Sequence, residues 1–132
     1  MSTVYVLIVV DVEGALASGD LASHVYLMDT TKYLGSGFEG TRELMTSLSV
    51  GDTIVWTAQP VDAGTEVTLV SISGQAVRDG VVTPVTDPVS PHSLMSPFQP
   101  AGGAASGTTY QYDMTLSLEG THLRFDPFLV VA

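Results

Sequence analysis

The most regular pattern of hydrophobic and polar residues lies between Thr109 and Glu119. Every second residue there is apolar or aromatic, namely Tyr110, Tyr112, Met114, Leu116 and Leu118. The residues between them are polar. Because side chains alternate between the two faces of a strand, this pattern predicts a strand with one face in the core and the other in water.

The residues after this strand predict a hairpin. Glu119-Gly120 has the composition of a tight turn, and the chain then continues as a strand. If Leu118 opposes Thr121, apolar residues face apolar residues along one side of the hairpin. The same register places Asp113 opposite Asp126 on the polar side.

The N-terminal segment, residues 4–12, is a run of mostly β-branched residues with no polar break before Asp11. A run of this kind is typical of a central strand that is covered on both faces. It is too short to span a membrane and has no basic residues before it, so we interpret it neither as a membrane span nor as a signal peptide. We expect a cytoplasmic protein.

Other segments rich in Val, Ile and Thr predict further strands. They are residues 24–29, 53–59, 66–73 and 128–131. Within residues 53–59, Ile54, Trp56 and Ala58 share a face, which predicts a buried Trp56 indole. The only helix candidate is residues 41–47, with Thr41 as its cap, and this segment could equally be extended.

Residues 84–108 contain five of the seven prolines of the chain. This composition predicts one long loop, and its apolar residues Leu94, Met95 and Phe98 indicate that it packs against the domain.

Together these elements predict an all-β protein with a single domain over residues 1–132. We expect an antiparallel β-sandwich of two sheets, built from about seven to nine short strands and one long Pro/Gly-rich loop. A barrel is the alternative.

The charge balance narrows the range of partners. Fourteen acidic and 4 basic residues give a net charge of −10, which repels nucleic acids and anionic membranes, and neither is expected as a partner. The chain has no cysteine, which excludes thiolate metal sites and cysteine nucleophiles. We expect no cofactor.

Two short motifs, one of glycines and one of acidic residues, could be binding sites, but we favour a structural interpretation of each. Gly35, Gly37 and Gly40 spell the dinucleotide fingerprint, but no strand leads directly into it and no βαβ unit follows, so it is interpreted as a flexible turn. Asp11 and Glu13 share a face of the predicted first strand. We interpret them as its solvated end rather than as a Ca²⁺ site or an acid–base pair.

Asp113 and Asp126 form the more informative acidic pair. Two carboxylates about 5 Å apart across a hairpin repel each other unless a cation lies between them. Arg124 shares their face, so we favour a carboxylate–arginine cluster, with a metal bound by Asp113 and Asp126 as the alternative. The chain has no nucleophile-elbow motif, and we do not expect an enzyme.

Five short segments, taken in order, resemble the AidA/PixA family of bacterial proteins, also called the inclusion body protein family. They are Asp-Val-Glu-Gly-Ala at 11–15, His-Val-Tyr-Leu-Met-Asp at 24–29, Val-Gly-Asp-Thr-Ile-Val-Trp at 50–56, Tyr-Gln-Tyr at 110–112 and Phe-Asp-Pro-Phe at 125–128. This resemblance spans nearly the whole chain, although residues 84–108 match no pattern. It implies a bacterial protein under quorum-sensing or growth-phase control, associated with host interaction in some members and with cytoplasmic inclusions in others. It implies no catalytic residues.

Two classes of function follow from these observations. The first is a noncatalytic, self-associating protein accessory to host interaction, a homo-oligomer whose contacts are sheet edges and the segment with Leu94, Met95 and Phe98. The second is a carbohydrate-binding module with Tyr33, Phe38 and Phe98 as aromatic platforms, which would lose its best platform if Trp56 is buried.

Overall fold

The structure is a computed structural model that describes residues 2–20, 23–31, 44–62, 64–89 and 92–132. Within these residues the chain forms eleven strands and two short helices. In chain order the elements are β1 (Thr3–Val10), α1 (Val12–Ser18), β2 (Val25–Asp29), β3 (Met45–Leu48), β4 (Thr53–Pro60), β5 (Val67–Ser73), α2 (Gln75–Arg78), β6 (Val85–Thr86), β7 (Ser93–Pro97), β8 (Thr109–Gln111), β9 (Asp113–Leu118), β10 (Thr121–Phe125) and β11 (Phe128–Val131).

Five strands form the larger sheet, in the order β2-β1-β4-β7-β6. Strand β1 lies inside this sheet, as its apolar sequence predicts. It pairs antiparallel with β2 but parallel with β4, where Val6 lies beside Trp56. The expectation of a purely antiparallel sandwich is wrong for this pair. The chain passes through α1, β2 and β3 before it returns as β4, and a parallel pair requires a long connection of this kind.

The other six strands form two three-stranded sheets, β10-β9-β5 and β3-β11-β8. Strand β8 ends at Gln111 and β9 begins at Asp113. At Tyr112 the chain therefore passes from the β3-β11-β8 sheet into the β10-β9-β5 sheet. Strand β11 runs parallel to β3 and antiparallel to β8. The all-β, sandwich-like fold is confirmed, with three hydrogen-bonded sheets and eleven described strands where the sequence predicts two sheets and fewer strands.

One hydrophobic core joins the larger sheet to the two smaller ones. Every second residue of β1 points into it, and so do the apolar residues of β9. These inward side chains are Val4, Val6, Ile8, Val10, Met114, Leu116 and Leu118, and all of them are buried. Trp56 is also fully buried, which confirms the prediction from its alternation with Ile54.

The β9–β10 hairpin has the predicted register. Thr121 lies opposite Leu118 and Phe125 opposite Met114. At the turn Glu119 and Gly120 both have positive φ angles, 49° and 89°. Two positive φ values are the signature of a type I′ turn, whose twist matches that of the flanking strands.

Helix α1 begins where the sequence predicts that the first strand continues. Asp11 caps it, since its Oδ1 accepts a hydrogen bond from the Gly14 N–H at 3.1 Å. The helix ends at Gly19, which adopts the left-handed conformation with φ 70°. Val12 and Ala15 are buried beneath it. Neither described helix is long and apolar enough to cross a lipid bilayer.

The helix candidate at residues 41–47 is extended where the structure describes it. Met45–Leu48 is strand β3, and residues 41–43 lie outside the described residues.

Residues 84–108 are not a single loop, because they contain β6 and β7, which pair with each other. Beyond β7 the Phe98 N–H donates to the Asp52 carbonyl at 2.7 Å, and the Gln99 N–H donates to the Val81 carbonyl at 2.8 Å. The prediction that this segment packs against the domain is confirmed.

Candidate functional site

Trp56 and Tyr112 form a polar contact in the centre of the core. The Trp56 indole N–H donates to the Tyr112 hydroxyl at 3.2 Å. The two ring centroids are 5.9 Å apart and the ring planes are tilted by 59°. Strand β4 supplies the indole, and the chain segment between β8 and β9 supplies the phenol. This contact therefore joins the two layers of the sandwich.

The surroundings of Tyr112 keep its hydroxyl protonated. Burial raises the pKa of Tyr112 well above its ordinary value, the hydrogen bond from Trp56 opposes this shift, and the charge of Asp29 adds to it. The group has the properties of a structural hydroxyl. Because the Trp56 indole is also buried, it cannot serve as an exposed platform for a sugar.

The other predicted aromatic platforms fall into two groups. Phe98 is fully buried, so the expectation that it offers an accessible ring, either for a ligand or for assembly, is wrong. Its ring fills the core beside the turn at Asp52, and its backbone hydrogen bonds hold it there. Tyr33 and Phe38 lie outside the described residues.

Leu94 and Met95 lie on a strand, β7, and not in a loop as predicted. They point to opposite faces of the larger sheet. Leu94 pairs with Trp56 and packs at the margin of the core, whereas Met95 pairs with Val55. Both are partly buried. Of the predicted assembly residues, Met95 alone faces away from the core.

The structure keeps Asp126 opposite Asp113, because Phe125 pairs with Met114 on one side of them and Phe128 with Gln111 on the other. It does not add Arg124 to this pair. Asp113 pairs with Ser73 on β5. Asp126 lies between β10 and β11, and its Oδ2 accepts a hydrogen bond from the Gln111 amide at 2.6 Å. Within the described residues Arg124 makes no ion pair with either carboxylate, so the predicted carboxylate–arginine cluster is wrong.

The metal interpretation of Asp113 and Asp126 stays a prediction. Among the residues that the structure describes, no group of three or more His, Asp or Glu side chains could hold a metal ion.

Asp11 and Glu13 do not share the face of a strand, which corrects the sequence prediction. Asp11 caps α1 and Glu13 lies in its first turn, exposed to solvent. Next to them, His24 Nδ1 lies 2.9 Å from the Asp20 carbonyl oxygen, so this nitrogen carries the proton of that hydrogen bond. A Cβ at Gly14 would lie only 2.5 Å from both the Asp11 carboxylate and the His24 ring. Glycine is required there by close packing.

A shallow pocket of about 130 Å³ lies between the edge strand β5 and the β6–β7 pair. Its lining includes Thr68, Thr86 and His92 as polar groups and Leu69 and Leu94 as apolar ones. The sequence gives no indication of this pocket, because β5 and β7 are separated along the chain and neither carries a motif.

A second feature missed by the sequence analysis is the surface of the larger sheet that faces away from the core. We call this surface the outer face. Its members are Thr3, Tyr5, Leu7 and Val9 on β1, Tyr26 and Met28 on β2, Thr53, Val55, Thr57 and Gln59 on β4, Val85 on β6, and Ser93, Met95 and Pro97 on β7.

Apolar side chains form a continuous row across the outer face. Tyr5 lies beside Val55, Val55 beside Met95, and Met95 beside Val85. On the other side of β1, Leu7 lies beside Met28 and Val9 beside Tyr26. The row and its neighbours thus extend over all five strands.

Much of this surface is open to solvent. The exposed fractions are 55% for Tyr5, 45% for Tyr26, 41% for Met28 and 58% for Val85, whereas Val55 in the middle of the row is only 7% exposed. The expectation that the N-terminal strand is covered on both faces is therefore wrong, because Tyr5 on its outer side is more than half exposed. The signal was present in the sequence: Tyr5, Leu7 and Val9 are apolar at alternate positions.

The strand residues that form the outer face in the described part of the chain include none with a charge, although the chain has 14 acidic and 4 basic residues. A carboxylate lies at the edge of this face, that of Asp87, which follows β6 opposite Ser93. The polar groups of the outer face are the hydroxyls of Thr3, Thr53, Thr57 and Ser93 and the amide of Gln59. The Thr57 and Ser93 hydroxyls lie 2.7 Å apart and satisfy each other. The geometry of this surface is suited to the burial of a flat apolar partner.

Comparisons with known proteins agree with the fold. The structure is similar to the crystal structure of the inclusion body protein PixA from Burkholderia cenocepacia, with a TM-score of 0.66 and 16% sequence identity over 99% of this chain and 94% of that chain. This likeness shows that the chain shares its fold with a member of the family that its sequence resembles. No curated protein matches the sequence. A family model described as a domain of unknown function, DUF8788, matches residues 2–124, and the chain therefore belongs to the DUF8788 family.

Proposed function

We propose that this protein is a noncatalytic bacterial accessory protein that acts by associating with copies of itself in the cytoplasm. The observation that carries the proposal is the outer face, where Tyr5, Tyr26, Met28 and Val85 expose apolar surface on a chain of net charge −10. Surfaces of this kind mark interaction sites in soluble proteins. The similarity of the fold to that of an inclusion body protein supports it.

The use of the acidic side chains also supports a noncatalytic role. Both carboxylate oxygens of Asp52 accept backbone hydrogen bonds, from Ser2 and from Ser49, each at 2.9 Å. Asp11 caps a helix, and Asp62 and Asp87 each accept a backbone N–H two residues further along the chain. These carboxylates stabilise turns and helix ends.

Sedimentation velocity over a range of protein concentrations tests the proposal. Because mutual repulsion at −10 opposes association, we expect assembly to increase with salt or divalent cations and as the pH falls toward about 4 to 5. A protein that remains monomeric up to about 1 mM under all these conditions would contradict self-association.

The proposal includes expression at high cell density and a role in host interaction, which the AidA/PixA resemblance implies. Protein levels measured through the growth of the bacterium that encodes this chain, together with the host phenotype of a deletion strain, test this part. Constant levels and an unchanged phenotype would contradict it.

A carbohydrate-binding module is the second candidate function. Tyr5 and Tyr26 are exposed on a sheet surface, where an aromatic ring can stack on a sugar. A glycan array with the wild-type protein and a Tyr26→Ala variant tests this candidate. Binding that depends on Tyr26 in a monomeric protein would replace self-association by carbohydrate recognition.

A further inference from the structure

We propose that two copies of this chain pack with their outer faces together, as an isologous dimer. This inference rests on the self-association proposed above and names the surface that is responsible. It differs from assembly through sheet edges, which the sequence predicts, because the side chains of the inner strands β1 and β4 make the contact.

The shape of the outer face permits such packing. Two sheets stack face to face at about 10 Å, and their side chains interdigitate without any backbone hydrogen bonds between the sheets. The row from Tyr5 through Val55 and Met95 to Val85 supplies large and small apolar side chains in alternation. A two-fold axis through the middle of this row would place each row against its copy.

Charge favours a second copy over other occupants. Most surfaces of a chain with charge −10 bring carboxylates together when two copies meet, whereas the described strand residues of the outer face bring none and Asp87 lies at its edge. A strongly charged partner would find no counter-charge there. A sugar would find few hydrogen-bonding groups beyond the Gln59 amide and the threonine hydroxyls. A second copy requires neither charges nor hydrogen bonds.

The area of the outer face sets the strength of the contact. Five strands at about 4.8 Å spacing span about 19 Å, and about five residues at 3.3 Å span about 16 Å, which gives a patch of about 300 Å² in projection. Two such patches bury less than the roughly 1,200 Å² of total surface at which stable interfaces begin. The dimer is therefore weak, and it forms only at high protein concentration.

Charged substitutions at Tyr5 test the inference. Tyr5 lies on the inner strand β1 and is 55% exposed, so a change there affects the face and not a sheet edge. Sedimentation velocity would compare Tyr5→Glu and Tyr5→Lys with the matched control Val70→Glu. Val70 is 43% exposed and lies on β5, in the opposite layer. Tryptophan fluorescence during urea unfolding would verify that each variant is folded.

We expect both Tyr5 variants to weaken association by about tenfold or more, because each buries an unpaired charge, and Val70→Glu to leave it nearly unchanged. Tyr5→Lys distinguishes loss of the contact from general charge repulsion. It makes the net charge less negative, so repulsion alone would predict stronger association for this variant. Equal association of the wild type and both folded Tyr5 variants would overturn the outer-face dimer while self-association stands. A wild type that never associates would overturn both.

Methionine oxidation provides a second measurement without substitutions. Met28 is 41% exposed on the outer face, whereas Met114 is fully buried in the core. In dilute hydrogen peroxide, followed by mass spectrometry, we expect the oxidation of Met28 to slow as the protein concentration rises, with Met114 protected throughout. A rate at Met28 that stays constant while the protein assembles would contradict the inference.

Discussion

The two faces of the larger sheet are made from the same strands but lie in opposite environments. On β1 the even-numbered residues from Val4 to Val10 are buried, whereas Tyr5 is more than half exposed. The residues on both faces are mostly apolar, so hydrophobicity does not distinguish them. The difference arises from what lies above each face: two smaller sheets cover the inner face, and no described strand covers the outer one.

This contrast shows how an apolar run in a sequence is to be interpreted. Such a run predicts that the side chains on both faces of a strand are buried. In β1 only the side chains of the inner face are fully buried. The other face keeps a largely apolar surface, which a folded monomer does not require. The apolar pattern of β1 thus contributes both to the core and to the contact surface that we propose.

The largest expected difference between the faces is in the free energy of unfolding. Trp56→Ala should destabilise the protein by about 3–5 kcal/mol, because it leaves a cavity in the core. Tyr5→Ala, on the outer face, should cost less than about 1 kcal/mol. Urea denaturation of both variants measures this difference. Similar losses would show that the outer face is part of the folding core.

A smaller effect is expected from the hydrogen bond between the layers. Tyr112→Phe keeps the ring but removes the hydroxyl that accepts from the Trp56 indole N–H, which leaves a buried donor without a partner. The expected loss of stability is about 1–3 kcal/mol. Trp56→Phe in the Tyr112→Phe background provides the control, because the two losses should not add. Full additivity in this double-mutant cycle would contradict the contact.

The pH dependence of stability should depend on the same hydroxyl. The raised pKa of Tyr112 means that the folded state holds its proton more tightly than the unfolded state. Its contribution to stability is therefore complete below about pH 10, where tyrosine ordinarily titrates, and is lost as the pH rises toward the folded pKa. The loss should reach up to about 1.4 kcal/mol per pH unit in that range. Unfolding measured from pH 8 to 11 should show a steeper decline for the wild type than for Tyr112→Phe. Parallel curves would argue against a buried, protonated hydroxyl.

The smallest effect is expected at Arg124, on the outward side of the β9–β10 hairpin. Because Arg124 is exposed and makes no ion pair with Asp113 or Asp126 within the described residues, Arg124→Ala should change stability by no more than about 0.5 kcal/mol. Thermal unfolding of this variant beside Asp126→Asn measures it. A loss above about 1 kcal/mol would restore the predicted cluster of charges.

The sequence predicts the β9–β10 hairpin well because all the information is local. Strict alternation assigns Met114 and Leu116 to the core, and the Glu-Gly turn sets the register. The burial of Trp56 follows from the same alternation. Both predictions use short-range patterns. In the hairpin, a shift of the strand register by one residue would move the apolar side chains to the solvent face, so the pattern fixes the register.

Other features depend on contacts that no local pattern encodes. The parallel pairing of β1 with β4 joins segments about fifty residues apart, and an apolar run does not specify its neighbour. Helix α1 was missed because Val12 extends the β-branched run, while the decisive signal was Asp11 as a cap.

The position of β11 has a consequence for the order in which the molecule is made. This strand lies between β3 and β8, so neither of them has its neighbour in that sheet until Phe128–Val131 is present. Phe128 pairs with Met45, which is synthesised long before it. A chain growing from the ribosome therefore holds β3 unpaired through most of its synthesis, and closing this distant contact makes folding slow. During that interval the nascent chain requires protection from wrong partners, by chaperones or by its own negative charge.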